Sequence, residues 1–141
     1  MRVADHASRT AVEALAALLI LLSSDVMACR CPGPETPAEA FSLATLVFTG
    51  TVVELSKTVA IRVEERFKGS VPERVAVESP APSCRYPFER ARQYLVYARE
   101  VEGKVVTTIC ERTSPLAWAV RELSLLRKYR DRLPRSERWY E

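Results

Sequence analysis

Four cysteines constrain this 141-residue chain more than any other feature. Two of them, Cys29 and Cys31, form a C-x-C pair directly after an apolar leader, and the other two, Cys84 and Cys110, stand singly and far downstream. The leader carries Arg2 and Arg9 near its start and a continuous apolar run over residues 14–22. Val26 and Ala28 occupy the minus-three and minus-one places that signal peptidase prefers to be small. Residues 1–28 therefore read as a secretory signal peptide, with an uncleaved anchor as the alternative. The run is too short to span a hydrocarbon core of about 30 Å. Cleavage after Ala28 would make Cys29 the first residue and leave its α-amine free.

Removing the leader takes away Arg2, Arg9, Asp5, Glu13 and Asp25, leaving 19 Lys plus Arg against 15 Asp plus Glu, a balance of +4. The charges alternate through Arg62-Val63-Glu64-Glu65-Arg66 and Arg121-Glu122, the pattern of a solvated face. No dense basic patch with interleaved aromatics appears, so nucleic acid is not an expected partner. Tyr86, Phe88, Tyr94 and Tyr97 fit a barrel core better than a stacking platform. The only histidine, His6, leaves with the leader. The remaining 113 residues have no His for general-base chemistry, for a Ser or Cys triad, or for zinc. The carboxylate pairs Glu64-Glu65 and Glu100-x-Glu102 lack an acid or base partner and read as solvated strand ends. The chain is expected to be neither an enzyme nor the holder of a cofactor or intrinsic metal.

All four cysteines remain after cleavage. An even number in an oxidising compartment reads as two disulfides with three pairings open. A zinc site of four thiolates is the rival, which a C-x-C followed by two distant single cysteines fits poorly.

Pro32, Gly33, Pro34 and Pro37 stiffen an extended segment after the cysteine pair. Thr36 is placed to cap a short helix with Pro37 first and Glu39 three residues past the cap. From Leu46 the period changes to that of strands. Phe48, Gly50 and Val52 share one face, with Gly50 at a bend or close approach. Val59, Ile61 and Val63 alternate up to a turn at Lys68-Gly69, and Val75 and Val77 repeat the pattern. Tyr94-Leu95-Val96-Tyr97 makes the most apolar strand, hence a central one, and Glu102-Gly103 turns it into a strand over residues 104–110. Five short, tightly connected strands predict a small closed β-barrel, because closure removes exposed edges. Ser114 and Pro115 then read as the cap and first residue of a C-terminal helix. Its apolar stripe is Leu116, Ala119 or Val120, Leu123 and Leu126, with Arg127, Lys128 and Arg130 near its end. The domain is expected over residues 29–130, with a loose polar tail at 131–141.

The ordered set Cys29-x-Cys31, Pro37-x-x-Ala40-Phe41, Val47-Phe48-x-Gly50-x-Val52, Lys68-Gly69, Cys84, Tyr94-Leu95-Val96-Tyr97 and Cys110-x-Arg112-Thr113 resembles the netrin-like, or TIMP-like, domain of the tissue inhibitors of metalloproteinases. The similarity runs from residue 29 to about 126. It implies an all-β, five-stranded OB-fold barrel with a short N-terminal helix and a C-terminal helix packed on it, stapled by Cys29–Cys84 and Cys31–Cys110. It also implies a secreted inhibitor, monomeric, whose partner is a secreted zinc metalloprotease. By position, the Cys29 amine and carbonyl oxygen would chelate the protease zinc, Arg30 would enter the specificity pocket, Cys31 and Pro32 would shape the ridge, and Ser83 would form its second edge. Ser42 stands near a further cysteine of the animal inhibitors, and Arg85 and Ala91 stand where the family often has Gly.

Two alternatives accompany this reading. One is a non-inhibitory interaction module on the same barrel, which Arg30 favours, because animal inhibitors carry a small Ser or Thr at that place. The other is a lipoprotein: Val26-Met27-Ala28-Cys29 approximates a lipobox, and acylation of Cys29 would tether the domain to a membrane, the one route by which a membrane enters. Export to the medium, the periplasm or the cell envelope is common to all three.

Overall fold

The computed structural model describes residues 29–34 and 36–132. The leader at 1–28 and the tail beyond 132 lie outside the described residues, as do the expectations that fall on them. Helix α1 spans Pro37–Leu43, and strands β1 (Leu46–Leu55), β2 (Val59–Lys68) and β3 (Arg74–Glu78) follow. A 3-10 turn at Pro82–Cys84 leads to β4 (Gln93–Val101) and β5 (Lys104–Val106). A two-residue strand β6 (Ser114–Pro115), a second 3-10 turn (Leu116–Trp118) and helix α2 (Val120–Arg132) complete the described chain.

The strands pair in the order β1-β2-β3-β5-β4, and β4 pairs back with β1 to close the barrel. All of these pairs are antiparallel except β3 with β5. This is the five-stranded OB-fold barrel, with β6 added to the outer side of β4.

The core has two layers. Inside the barrel lie Phe48, Val52, Ile61, Val63, Val75, Val77, Tyr94, Val96 and Ala98, with Tyr86 and Phe88 packed against them. Between the barrel wall and the helices lie Ala40, Ala44, Val47, Phe67, Leu95, Tyr97, Ala119, Leu123 and Leu126. Strand β4 belongs to both layers. Tyr94, Val96 and Ala98 point inward while Leu95 and Tyr97 point to the helices, so a strand buried on both faces reads as an unbroken apolar run.

Local signals act as the sequence predicts at several points. The Glu39 amide donates to Thr36 Oγ1 at 3.2 Å, which caps α1. Glu102 and Gly103 both have positive φ, 52° and 74°, the geometry of a two-residue hairpin turn. A Cβ on Gly50 would lie 2.5 Å from the Arg62 carbonyl oxygen and 2.6 Å from Ile61 Cγ2, so no larger residue fits where β1 crosses β2.

The strand after that hairpin is shorter than the sequence predicts, ending at Val106 rather than Cys110. Side chains take over from the ladder there: Glu111 accepts from the Thr108 amide at 2.7 Å, and Thr108 Oγ1 accepts from the Cys110 amide at 3.1 Å. Ser114 and Pro115 do not begin the helix. They pair with Leu95 and Tyr94, proline being tolerated at such an edge, and α2 starts at Val120. Its buried stripe is Leu123 and Leu126, continued by Ala119 just before its start, while Val120 is exposed.

Glu65 is not a solvated strand end. Between the pairs Thr49↔Glu65 and Gly50↔Val63, β2 carries one residue more than β1. That bulge at Glu64 breaks the alternation begun by Ile61 and Val63 and turns Glu65 and Phe67 toward α2. Glu65 receives Arg127 at 2.8 Å and Arg130 at 2.6 Å, and Arg130 also lies 5.5 Å from the Phe67 ring centroid. The Arg127 hydrogen bond, with help from Arg130, outweighs burial and holds the Glu65 carboxyl below its ordinary value of 4.5.

A carboxyl whose folded-state pKa is depressed contributes stability that is present above about pH 4.5 and is lost as pH falls through the lower folded value. Glu65→Gln should therefore cost about 1 kcal/mol at neutral pH. The difference between the variant and the parent should shrink as pH falls below about 4.5 in urea unfolding. A difference that is unchanged at acid pH would contradict the assignment.

Candidate functional site

Residues 29–34 form an extended segment with no place in the sheet and none in either apolar cluster. Sulfur holds it. Cys29 is bonded to Cys84 and Cys31 to Cys110, with Cα–Cα separations of 5.2 Å and 4.9 Å, so the pairing that the resemblance implies is the one present. The anchor loops are joined to each other where the Ile109 amide donates to the Cys84 carbonyl at 2.9 Å. The two bridges touch: Cys29 Sγ lies 3.4 Å from Cys110 Sγ. The rival four-thiolate zinc site is not formed, because Cys29, Cys31 and Cys110 have clustered sulfurs but every one is spent in a disulfide.

Gly33 fixes how closely the segment crosses its anchor. A Cβ there would lie 2.6 Å from the Cys110 carbonyl oxygen. Before that crossing, Cys29 is half-buried and Arg30, Cys31 and Pro32 are exposed. Ser83, in the 3-10 turn next to Cys84, is exposed beside them with its Oγ 3.9 Å from Cys84 Sγ. The Cys29–Cys84 bridge thus sets Ser83, the neighbour of Cys84, near Cys29, with Arg30, Cys31 and Pro32 following along the segment. Behind the segment lies a cavity of about 400 Å³, walled by Pro32, Pro34, Leu43, Ala44, Ala81 and Tyr97 among others.

A polar seam under the cavity was not apparent in the sequence. The Tyr97 hydroxyl donates to Glu122 Oε1 at 2.6 Å, and Arg112 Nε lies 3.1 Å from Glu122 Oε2. Burial and the Glu122 carboxylate together push the Tyr97 phenol well above its ordinary range. Thr113 Oγ1 accepts from the Tyr97 amide at 3.0 Å, and Thr107 Oγ1 donates to the Tyr97 carbonyl at 2.8 Å. Glu122, expected on a solvated face, is only 13% exposed. The spacing of Cys110-x-Arg112-Thr113 before the helix was the available clue, since it places the bridge, the cation and the hydroxyl on one short link.

No family model matches this sequence, and no curated protein is significantly similar to it. Paired disulfides are typical of exported proteins. Among the described residues, no helix is long and apolar enough to cross a membrane.

Because sulfur rather than packing fixes the segment, replacing both Cys29 and Cys84 by Ala should loosen residues 29–30 more than the barrel. Trypsin cleavage after Arg30 should accelerate about tenfold or more. Unfolding free energy should fall by about 2–4 kcal/mol, while the far-ultraviolet sheet spectrum remains. Unchanged proteolysis at Arg30 would contradict this view of the clamp.

Proposed function

We propose that this is an exported binding domain that presents residues 29–32 and Ser83 to the active site of a zinc metalloprotease and inhibits it. The observation that supports the reading is the exposed, disulfide-clamped segment with Ser83 at its side. In this reading residues 1–28 act as a signal peptide, and cleavage after Ala28 frees the Cys29 amine. That amine and the Cys29 carbonyl oxygen would close a five-membered chelate on the protease zinc and displace the attacking water. An α-amine with a pKa of about 7.7–8 is neutral often enough near pH 7 to act as a ligand. The clamp lowers the ordering cost of binding, because the segment is held before it meets a partner.

Arg30 supports a second reading. Its exposed guanidinium stands where an inhibitor of the animal kind would insert a small side chain into an apolar pocket, and burying an unpaired cation there costs several kcal/mol. A protein-interaction module that uses the same edge without touching zinc carries no such cost. The two readings part on the terminus.

Protein beginning at Cys29, with both bridges intact, should inhibit a zinc endopeptidase of the thermolysin or metzincin class. One alanine ahead of Cys29 should weaken inhibition about a hundredfold, equivalent to roughly 3 kcal/mol. Arg30→Ser should strengthen it. Equal inhibition with and without the extra alanine, or none by either form, would contradict zinc chelation.

A further inference from the structure

We infer that the outer face of α2 docks on an anionic membrane surface. The inference does not rest on the protease reading, and among the described residues none of the side chains it uses lines the cavity behind the Cys29 segment. Ala119, Leu123 and Leu126 account for the inner stripe of the helix, and Arg127 and Arg130 on its flank are engaged by Glu65. What remains faces water with an unusual composition. Leu125 and Tyr129 on the helix are 42% and 41% exposed, and Trp118, in the 3-10 turn just before the helix, is 78% exposed. Leu125 and Tyr129 are one turn apart, and Arg121 and Lys128 lie four residues before and three after Leu125, on the same side of the helix. Arg121 and Lys128 are exposed and make no ion pair among the described residues. Of the two acidic residues of α2, Glu122 is turned inward to Tyr97 and Arg112, and Asp131 stands in the last turn.

This combination fits the boundary between phospholipid headgroups and acyl chains. Trp and Tyr prefer that depth because their rings are apolar with a polar edge, and a leucine between them enters the first carbons of the chains. Arginine and lysine beside them meet lipid phosphates, and the charges complement an anionic leaflet. The apolar stripe of α2 is packed on the barrel, so only these outer side chains are available to the surface and the helix does not insert. A soluble polyanion would use Arg121 and Lys128 but would leave Trp118, Leu125 and Tyr129 without a role, so the bilayer is the better match.

The test is sedimentation of the exported, disulfide-bonded protein with vesicles of phosphatidylcholine alone and of phosphatidylcholine mixed with phosphatidylglycerol. The parent should co-sediment with the mixed vesicles and not with the neutral ones. Arg121→Ala with Lys128→Ala should weaken binding about thirtyfold. Trp118→Ala with Leu125→Ala should weaken it about tenfold or more, and both variants should keep the parent's melting temperature because the positions are exposed. No binding to the mixed vesicles, or binding that neither variant weakens, would overturn the inference. So would equal binding to neutral vesicles, which indicates attachment elsewhere in the chain, or binding to heparin in place of vesicles that survives loss of Trp118 and Leu125.

Discussion

The bridges from Cys29 and Cys31 start with a single residue between them and end on two separate loops of the barrel, and the exposed edge of the molecule exists because of them. Residues 29–34 contribute to neither apolar cluster and join no ladder, so hydrophobic burial gives them no fixed position. Covalent closure does. The bridges span 55 and 79 residues, and on the chain-entropy view each removes up to about 4 kcal/mol of freedom from the unfolded chain. Their loops overlap, so the two contributions do not add in full. Two anchors also do what one cannot: they fix both position and direction, with Gly33 pressed on the Cys110 carbonyl as the third constraint.

The barrel, in turn, is arranged to hold those anchors still. Cys110 leads through Arg112 and Thr113 into the seam under α2. Thr113 and Thr107 satisfy the buried backbone of Tyr97, and Arg112 neutralises Glu122. Lys68 donates to the carbonyls of Phe41 and Ser42 at the end of α1, at 2.6 and 3.2 Å, and lies over the Phe41 ring. Gly69, at φ 77°, passes so close to Thr45 and Leu46 that a side chain would collide. Most of the residues that make the sequence resemble a TIMP-like domain therefore have a packing or hydrogen-bonding duty. The pattern describes a barrel with a clamped N-terminal segment, whereas the proposed inhibition would depend on exposed groups such as Arg30 and Ser83, which packing does not constrain.

Much of this architecture was legible in the sequence because its signals are local. The cap at Thr36, the turn at Glu102-Gly103 and the tight crossing at Gly50 each follow from a few neighbouring residues. So does the central position of β4, whose unbroken apolar run reflects burial on both faces. What sequence reasoning missed depends on partners far along the chain. Glu65 looked solvated because it stands in a run of alternating charges; strict alternation would have placed it with Ile61 and Val63 inside the barrel, and the bulge at Glu64 turns it to α2 instead. Glu122 looked solvated because nothing local announces Tyr97 as its partner. Ser114 and Pro115 have the residue types of a helix start, yet the free side of β4 recruited them into the sheet. The candidate edge was legible as residues, and its depth, with a cavity behind it, was not.

The central claim is that a clamped half-cystine forms the working end of the molecule, and the terminus of the exported protein tests it most directly. N-terminal sequencing combined with non-reducing peptide mass mapping reports the start of the chain and the bridges together. The expected product begins at Cys29, carries no lipid, and yields Cys29 linked to Cys84 and Cys31 linked to Cys110. A product that starts elsewhere, that bears an acyl chain on Cys29, or that has free thiols at Cys84 and Cys110 would contradict it.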